Sequence, residues 1–246
     1  MLVLRSALIV LCLPSLVVAA SPATLEELLR QNLAARGGLA KVAALRSLKF
    51  TGEMSFPGGM KFSFSQVVAR PDRIRTEASM QGFTAVMAYE KGSAWQIDPF
   101  QGRKDPERLS EDEAKGLRQD ADLDGPLIGW KEEGSRIEYL GTEDVDGTQA
   151  HKLKVSLKDG TIKMVYLDPE HFLEIRILTQ LTVRGSLQES EADLGEYAQA
   201  GGVWFPMSIE SGSPGAPRRA FLKWTKVEVN VPAEDADFRF PGTARK

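Results

Sequence analysis

The chain has 246 residues, 42% of them hydrophobic, so it is long enough to bury a sizeable core without cross-links. Its formal net charge of −3 argues against a nucleic-acid partner, because phosphate binding relies on a basic surface. The single cysteine, Cys12, has no second cysteine with which to form a disulfide within the chain.

The first twenty residues have the layout of a secretory signal peptide. Arg5 supplies a positive charge, an apolar run follows, and Ala20-Ser21 offers a small-residue cleavage site. The alternative, an uncleaved membrane anchor, is disfavoured because the run is shorter than the roughly 20 residues needed to span and contains Pro14. We therefore expect residues 1–20 to be removed and one domain, residues 21–246, to be exported to the periplasm.

The next segment predicts a helix or a pair of helices. From Thr24 to Leu45 the apolar residues recur at three-to-four spacing, with a break near Gly37-Gly38. Thr24 followed by Glu27 has the pattern of a capping box, which sets the start of the helix.

From Leu48 onward the hydrophobic period changes to two, which is typical of half-buried strands. The clearest alternations involve Phe62, Phe64 and Val68; Phe83, Ala85 and Met87; Leu153, Val155 and Leu157; and Leu173, Ile175 and Ile177. Turn clusters such as Pro57-Gly58-Gly59 and Gly201-Gly202 separate about ten or eleven strands, with no βαβ alternation. The pattern predicts a large antiparallel meander.

One helix interrupts the strands, at Ser110–Gln119, where Ser110 and Glu113 form a second capping-box pattern. Because strand twist makes a large sheet curl, its concave face must be filled or covered. The fold class is therefore mainly β: a large curved antiparallel sheet covered by an N-terminal helix and a short inserted helix. Periodicity leaves open whether the sheet encloses a packed core or a ligand cavity.

The sequence lacks the common catalytic signatures, among them G-x-S-x-G, H-E-x-x-H and the Walker loop. We therefore expect no enzyme activity and no cofactor. His151 and His171 could meet on neighbouring strands and share a metal with a carboxylate, but surface or strand-end positions are commoner for such histidines.

The segment around Asp120, Asp122 and Asp124 reproduces the first half of a calcium loop, with oxygen ligands at alternate positions followed by a glycine. Its second half fails, because Lys131 occupies the place of the bidentate glutamate and Pro126 follows the glycine directly. The loop is a weak cation candidate, and a solvated acidic turn is the favoured interpretation.

Three motifs stand in an order that resembles the LolA-like superfamily of outer-membrane lipoprotein-sorting and carrier proteins. They are Ala69-Arg70-Pro71-Asp72-Arg73-Ile74-Arg75, Tyr89-Glu90-Lys91-Gly92 and Trp95-Gln96-Ile97-Asp98-Pro99-Phe100. Arg70 falls on the arginine of the family's K-R-P strand and Trp95 on its tryptophan, whereas Ala69 replaces the usual lysine. Towards the C-terminus, Gly202-Val203-Trp204-Phe205-Pro206 and Asp237-Phe238-Arg239-Phe240-Pro241 look like the same superfamily by pattern.

The resemblance implies an open, incomplete β-barrel with a helical lid over an apolar cavity that takes up acyl chains. It implies a periplasmic carrier or binder of lipoproteins or other lipids, acting in outer-membrane lipoprotein sorting. The expected ligand-binding residues are Arg70, Phe62, Phe64, Phe83, Met87, Trp95 and Trp130.

Arg70 is expected at the cavity mouth, where its guanidinium can donate hydrogen bonds to helix-end carbonyls or to a lipid ester. The alternative is a solvated strand arginine, for which Arg73 is a nearby comparison. Two rival functions remain: an envelope regulatory or structural protein that uses the same sheet to bind another protein, and, more weakly, a hydrolase. The same fold serves both carriers and sensors, so fold does not decide between them.

Overall fold

The computed structural model describes residues 24–216 and 220–242. The predicted signal peptide and its cleavage site lie outside the described residues. Within the described part of the chain, no helix is long and apolar enough to cross a membrane.

Two helices open the described chain, as the spacing predicts: α1 (Leu25–Arg36) and α2 (Leu39–Ala43). The Thr24 hydroxyl accepts the Glu27 N–H at 3.2 Å and caps α1. The Glu27 carboxylate binds Arg30 instead of closing the capping box. The helices separate at Gly37, whose φ of 127° is open to glycine but strained for other residues.

Fifteen strands follow, more than the ten or eleven that the sequence predicts. The reason is that the shortest strands, including those of a small hairpin, have too few residues to show a period-two pattern. They are β1 (Ser47–Ser55), β2 (Lys61–Ala69), β3 (Arg73–Met80), β4 (Phe83–Glu90), β5 (Ser93–Asp98), β6 (Arg103–Leu109), β7 (Arg136–Val145), β8 (Thr148–Ser156), β9 (Ile162–Leu167), β10 (Glu174–Val183), β11 (Ser186–Gly195), β12 (Ala198–Ala200), β13 (Val203–Phe205), β14 (Ser208–Gly212) and β15 (Ala220–Val229).

Thirteen of these strands form one antiparallel sheet in the order β6-β5-β4-β3-β2-β1-β15-β14-β11-β10-β9-β8-β7. The first and last strands therefore pair at its centre, and β6 and β7 are its edges. The edges do not pair with each other, so the curved sheet is an open barrel, as the fold class predicts. The remaining strands, β12 and β13, form a separate hairpin.

Helix α3 (Glu111–Asp120) and residues 121–135 carry the chain from one sheet edge to the other. The predicted capping box is present in full: the Ser110 hydroxyl accepts the Glu113 N–H, and the Glu113 carboxylate accepts the Ser110 N–H. A 3-10 helix (Pro99–Gln101) joins β5 to β6, and α4 (Asp235–Phe238) follows the last strand.

The buried side chains form two large clusters and two small ones. The first large cluster joins β1–β5 and β15 to α2, α3 and β13, and the second joins β7–β10 to α1 and the 121–135 segment. A small cluster of Val86, Ala88 and Trp95 lies on the other side of β4 and β5, beside the C-terminal segment. Each half of the sheet is therefore filled from its concave side by different helices.

One predicted alternation is wrong. Ile175 and Ile177 were expected on one face of their strand, but Ile177 packs in the second large cluster, whereas Ile175 packs with Val145, Ala150 and Tyr166. The cause is a register shift against β9 between Glu174 and Arg176, because a bulge of one residue turns the side chains before it to the other face.

Candidate functional site

The concave face of the first sheet half carries an aromatic strip. Strand register places Phe64 beside Gly52, and Gly52 beside Trp224, on one face of three adjacent strands. The rings of Phe64 and Trp224 lie 5.5 Å apart, and Trp224 and Phe50 lie 5.1 Å apart. Met87 packs against the same cluster.

The strip continues towards the turns at the far end of these strands, where the side chains are less buried. Phe62 meets the Phe56 and Phe100 rings at 5.9 and 5.3 Å, and Phe83 meets Phe100 at 6.3 Å. Phe83 is 51% exposed and Met60 is 46% exposed, unlike the buried residues under α3. The structure thus brings together four expected ligand-binding residues: Phe62, Phe64, Phe83 and Met87.

The lid, which consists of α3 and residues 121–135, covers only part of this strip. Ala114 and Leu117 of α3 pack with Ile74, Tyr89 and Ala94, which lie near the ends of β3, β4 and β5 that face away from Phe83. Phe62 and Phe83 belong to no buried cluster of the described residues. The concave face is therefore a packed core under the lid and an open apolar surface beyond it.

Beside the first large cluster, apolar and acidic side chains share one cavity. A cavity of about 170 Å³ is lined by Phe50, Gln66 and Phe205 together with Asp120 and Asp122. Asp120 is accessible to water, but desolvation by the surrounding protein raises the pKa of its carboxyl. The positive charge of a lysine on β9 acts in the opposite direction and lowers this pKa.

That lysine is Lys163, whose side chain lines a neighbouring polar cleft with Asp122 and Asp159. Burial lowers the pKa of Lys163, although the carboxylates of Asp120, Asp122 and Asp159 oppose the shift. Among the described residues, neither Asp120 nor Lys163 has a direct side-chain hydrogen bond or ion pair. The barrel interior therefore holds opposite charges that are kept apart.

Arg70 fastens the lid to the sheet. Its Nε donates to the Leu45 carbonyl oxygen at 2.8 Å, and its two terminal nitrogens donate to the Asp124 carboxylate at 2.6 and 2.7 Å. Arg36 of α1 donates to the Asp124 carbonyl oxygen at 2.5 Å. Arg70 and Asp124 together thus join α1, the segment after α2, the end of β2 and the segment after α3. The sequence singled out Arg70, and it singled out Asp124 only as a weak cation ligand. Nothing in it indicated that these two residues, 54 positions apart, form an ion pair.

The two expected tryptophans lie elsewhere. Trp95 points to the opposite face of β5, where its Nε1 donates to the Phe238 carbonyl oxygen at 2.8 Å and anchors the C-terminal segment. Trp130 packs beside α1 in the second large cluster, with the Lys131 ammonium 5.1 Å from its ring centroid. Neither joins the Phe62–Phe83 surface.

The metal candidates are separated. Asp124 is bound to Arg70, Asp122 Oδ1 accepts the Asp124 N–H at 2.9 Å, and Asp120 lies in the interior cavity. His151 stacks on Phe172 at 6.2 Å, whereas His171 is largely exposed beside Asp168. Across residues 24–216 and 220–242, no group of three or more metal-ligating side chains has a suitable arrangement.

The sequence predicted a turn at Gly201-Gly202, but not that the β12–β13 hairpin stands apart from the sheet and inserts Val203 and Phe205 into the first large cluster. The ring of Phe205 meets Phe50 edge-on at 5.7 Å. The turn glycines Gly201 and Gly202 before a β-branched and aromatic run were the available indication.

No protein-family model matches the sequence, and no curated protein matches it. Solved structures do match in fold. A DUF1329 family protein from Desulfovibrio piger has a TM-score of 0.59 at 13% identity, over 87% of this chain and 97% of its own. A LolA superfamily protein from Nitrosomonas europaea has a TM-score of 0.58 at 12% identity, over 88% and 98% of the two chains.

A third similar structure is a putative outer membrane lipoprotein-sorting protein domain from Vibrio parahaemolyticus, with a TM-score of 0.55 at 15% identity, over 86% and 94%. All three span nearly their whole length on this chain. The chain therefore has the LolA-like fold that the three motifs indicated. At these identities the likeness concerns the fold, and function rests on the site.

Proposed function

We propose that this protein is an exported binder or carrier of lipid, holding the acyl chains of a lipoprotein or a free lipid against the Phe62–Phe64–Phe83–Met87 surface. The observation that carries the proposal is the aromatic strip on the concave face, which starts under the lid and continues beyond it into solvent. Soluble proteins rarely leave a contiguous apolar surface open unless it binds something.

The chemistry of this surface suits acyl chains. Aromatic and thioether side chains offer large contact areas without demanding hydrogen bonds, so they accept chains of varied length. The lid segment held by Arg70 and Asp124 lies next to the same core, so its movement would enlarge the surface on which a chain could lie. The predicted signal peptide and the LolA-like fold support a role in the periplasm, in lipoprotein sorting.

The first test is binding. Protein stripped of co-purified lipid should bind an environment-sensitive hydrophobic dye at about one per chain, and a fatty acid or lipopeptide should displace it. Mass spectrometry of the untreated protein should identify the lipid that it carries. A folded protein that takes up no dye and carries no lipid would refute the proposal.

A matched pair of variants locates the site. Phe83→Glu places a charge on the open end of the concave surface and should weaken lipopeptide binding by roughly tenfold, since a carboxylate there opposes burial of an acyl chain. Phe221→Glu makes the same change at another exposed phenylalanine, on the outer face of β15 next to inward-facing Leu222, and should leave binding unchanged. Equal losses in both variants would remove Phe83 from the site.

Export is tested separately. N-terminal sequencing of the secreted protein should give a start at or within about two residues of Ser21. Recovery of the full chain in the membrane fraction would contradict it.

A further inference from the structure

A second apolar pocket lies outside the concave strip, where the end of α1 meets the ends of β10 and β11. Its volume is about 500 Å³. Its apolar lining comes from Ala35, Leu173, Ile175, Leu194, Tyr197 and Trp204. This size falls within the range of about 300–1,000 Å³ that is typical of small-molecule sites.

Strand β13 separates this pocket from the first core cluster. Val203 and Phe205 are buried in that cluster, whereas Trp204 between them points the other way and lines the pocket. Trp204 is 37% exposed, so part of its indole ring is open to a ligand in the pocket.

The wall that carries Trp204 is fixed in place. A Cβ atom added at Gly37 would lie 2.3 Å from the Gly202 carbonyl oxygen, so the end of α1 and the β12–β13 hairpin touch backbone to backbone. Tyr197 is held as well, because its hydroxyl donates to the Glu174 carbonyl oxygen at 2.7 Å. Two sides of the pocket are therefore preformed.

The polar groups of the pocket favour a ligand whose head group can form hydrogen bonds with them. The Trp204 indole N–H donates to no described residue. At the other side, Asp168 Oδ1 accepts the backbone N–H groups of Glu170 and His171 and contacts the His171 ring, which leaves Oδ2 without a partner among the described residues. These backbone bonds, against the effect of partial burial, lower the pKa of the Asp168 carboxyl and keep it ionised at neutral pH.

We infer that this pocket binds a single-chain amphiphile with an uncharged hydroxyl head, such as a fatty alcohol or a monoacylglycerol. A hydroxyl can donate to the Asp168 carboxylate, and a second hydroxyl or an ester oxygen can accept from the Trp204 indole on the other side. A fatty-acid carboxylate, in contrast, has no proton to donate and is repelled by Asp168. The chain or ring of the ligand occupies the space between Leu173, Leu194 and Tyr197.

The test uses decanol and decanoate with the full exported chain, read by tryptophan emission. Decanol should shift the emission to shorter wavelength, because the ligand shields the Trp204 ring from water, and the shift should be absent in Trp204→Phe. Decanoate at neutral pH should bind at least about tenfold more weakly than decanol.

A charge variant tests the head-group assignment. Asp168→Asn keeps the side-chain oxygen that accepts the turn N–H groups but removes the charge, so the preference for decanol over decanoate should fall by about tenfold. Asp144→Asn is the matched control, since Asp144 Oδ1 also accepts a turn N–H, from Gly147, outside the pocket. A purely structural role for Asp168 would change the affinity for both ligands equally and leave their ratio unaltered.

The inference is independent of the lipid-carrier proposal. In Phe83→Glu, lipopeptide binding should weaken while the Trp204 response to decanol persists. The pocket assignment is overturned if decanol leaves Trp204 emission unchanged, if decanoate binds as tightly as decanol, or if Asp168→Asn leaves their ratio unaltered.

Discussion

Arg70 joins distant parts of the chain through one guanidinium. Its hydrogen bonds reach the Leu45 carbonyl and both oxygens of Asp124, and the side chain is about one third exposed. A planar fork matches a carboxylate with two parallel bonds, which a lysine cannot reproduce. Removal of Arg70 would therefore leave the Asp124 carboxylate without its partner.

We therefore predict that Arg70→Leu lowers the free energy of unfolding by about 1–2 kcal/mol and speeds lipid uptake and release. The reason is that Asp124 loses its partner and the segment after α3 loses its attachment to β2. The double variant Arg70→Leu/Asp124→Leu should lose less than the sum of the single variants. Urea unfolding and dye-exchange kinetics measure the two effects.

The control for this experiment is Arg136→Leu, an exposed strand arginine without a side-chain partner among the described residues. Arg73 is unsuitable, because it binds Asp235 and the Arg70 carbonyl and lies 5.0 Å from the Phe238 ring centroid. If Arg70→Leu and Arg136→Leu have the same exchange kinetics, Arg70 does not hold the lid.

Asp120 gives a prediction about pH. Burial raises the pKa of its carboxyl, so the folded protein binds this proton more tightly than the unfolded chain does, and the ionised form costs stability at neutral pH. Asp120→Asn should therefore be more stable than the parent at pH 7, even though it loses the attraction to Lys163. Its advantage should shrink as the pH falls through the raised pKa of the folded state, and it should vanish well below the unfolded value of about 3.9, where the parent carboxyl is protonated in both states.

Asp112→Asn supplies the opposite sign. Hydrogen bonds from Lys115 and the Arg184 N–H lower the pKa of Asp112, so its ionised form stabilises the folded state at neutral pH. The variant should be less stable than the parent at pH 7, and the difference should fade in acid. Thermal unfolding at a series of pH values checks both, and parallel pH profiles for the two variants would contradict the assignment.

Helix α3 is fixed by different forces at its two sides. Ala114 and Leu117 pack in the first large cluster, whereas its polar side reaches the turns after β8 and β10, through Arg118 to Asp159 and Glu113 to Arg184. Exposed ion pairs contribute little, typically about 0–1 kcal/mol. The helix is therefore held firmly over β3–β5 and weakly over β8–β11, and we expect any opening of the lid to begin at the second side.

Opposite changes to α3 should have opposite effects on lipid exchange. Ser110→Ala removes the cap and should destabilise the helix by about 1 kcal/mol. Gly116→Ala should stabilise it by up to about 1 kcal/mol, because a Cβ there meets no atom within 4 Å. Hydrogen exchange of the α3 amides should accelerate in the first variant and slow in the second, with dye release following in the same order.

Thr24→Ala, which removes the cap of α1, is the control for the α3 series. It should accelerate exchange in α1 and leave the α3 amides unchanged. Dye release that ignores both α3 variants would show that the helix is a fixed part of the wall.

The whole molecule is tied together at the centre of its sheet. The halves β1–β6 and β7–β15 are each a continuous stretch of chain. The pairing of β1 with β15 joins them at the centre, and α3 with residues 121–135 connects their outer edges. Outside the concave face, the C-terminal segment closes the other side, with Phe238 almost fully buried and hydrogen-bonded through its carbonyl to Trp95. We expect one cooperative unit that includes this segment.

Phe238→Ala should lower the free energy of unfolding by about 3–5 kcal/mol without changing dye affinity, because the cavity it leaves lies on the side of the sheet opposite the lid. Urea transitions followed by tryptophan emission and by far-ultraviolet circular dichroism should coincide in parent and variant. Separate transitions would show that the two halves unfold independently.

The sequence by itself determined the local elements: the helix break at Gly37, the cap of α3, the alternation of Phe83, Ala85 and Met87, and a mainly β, curved sheet with helices over it. These follow from period, caps and turn residues, which act within a few positions. Only the tertiary structure decided that Trp95 faces away from the lid and that Arg70 meets Asp124. It also decided that a bulge parts Ile175 from Ile177 and that Trp204 lines a separate pocket. Each of these depends on register and on chain crossings between residues far apart in sequence, and a one-residue shift in pairing moves a side chain to the other face.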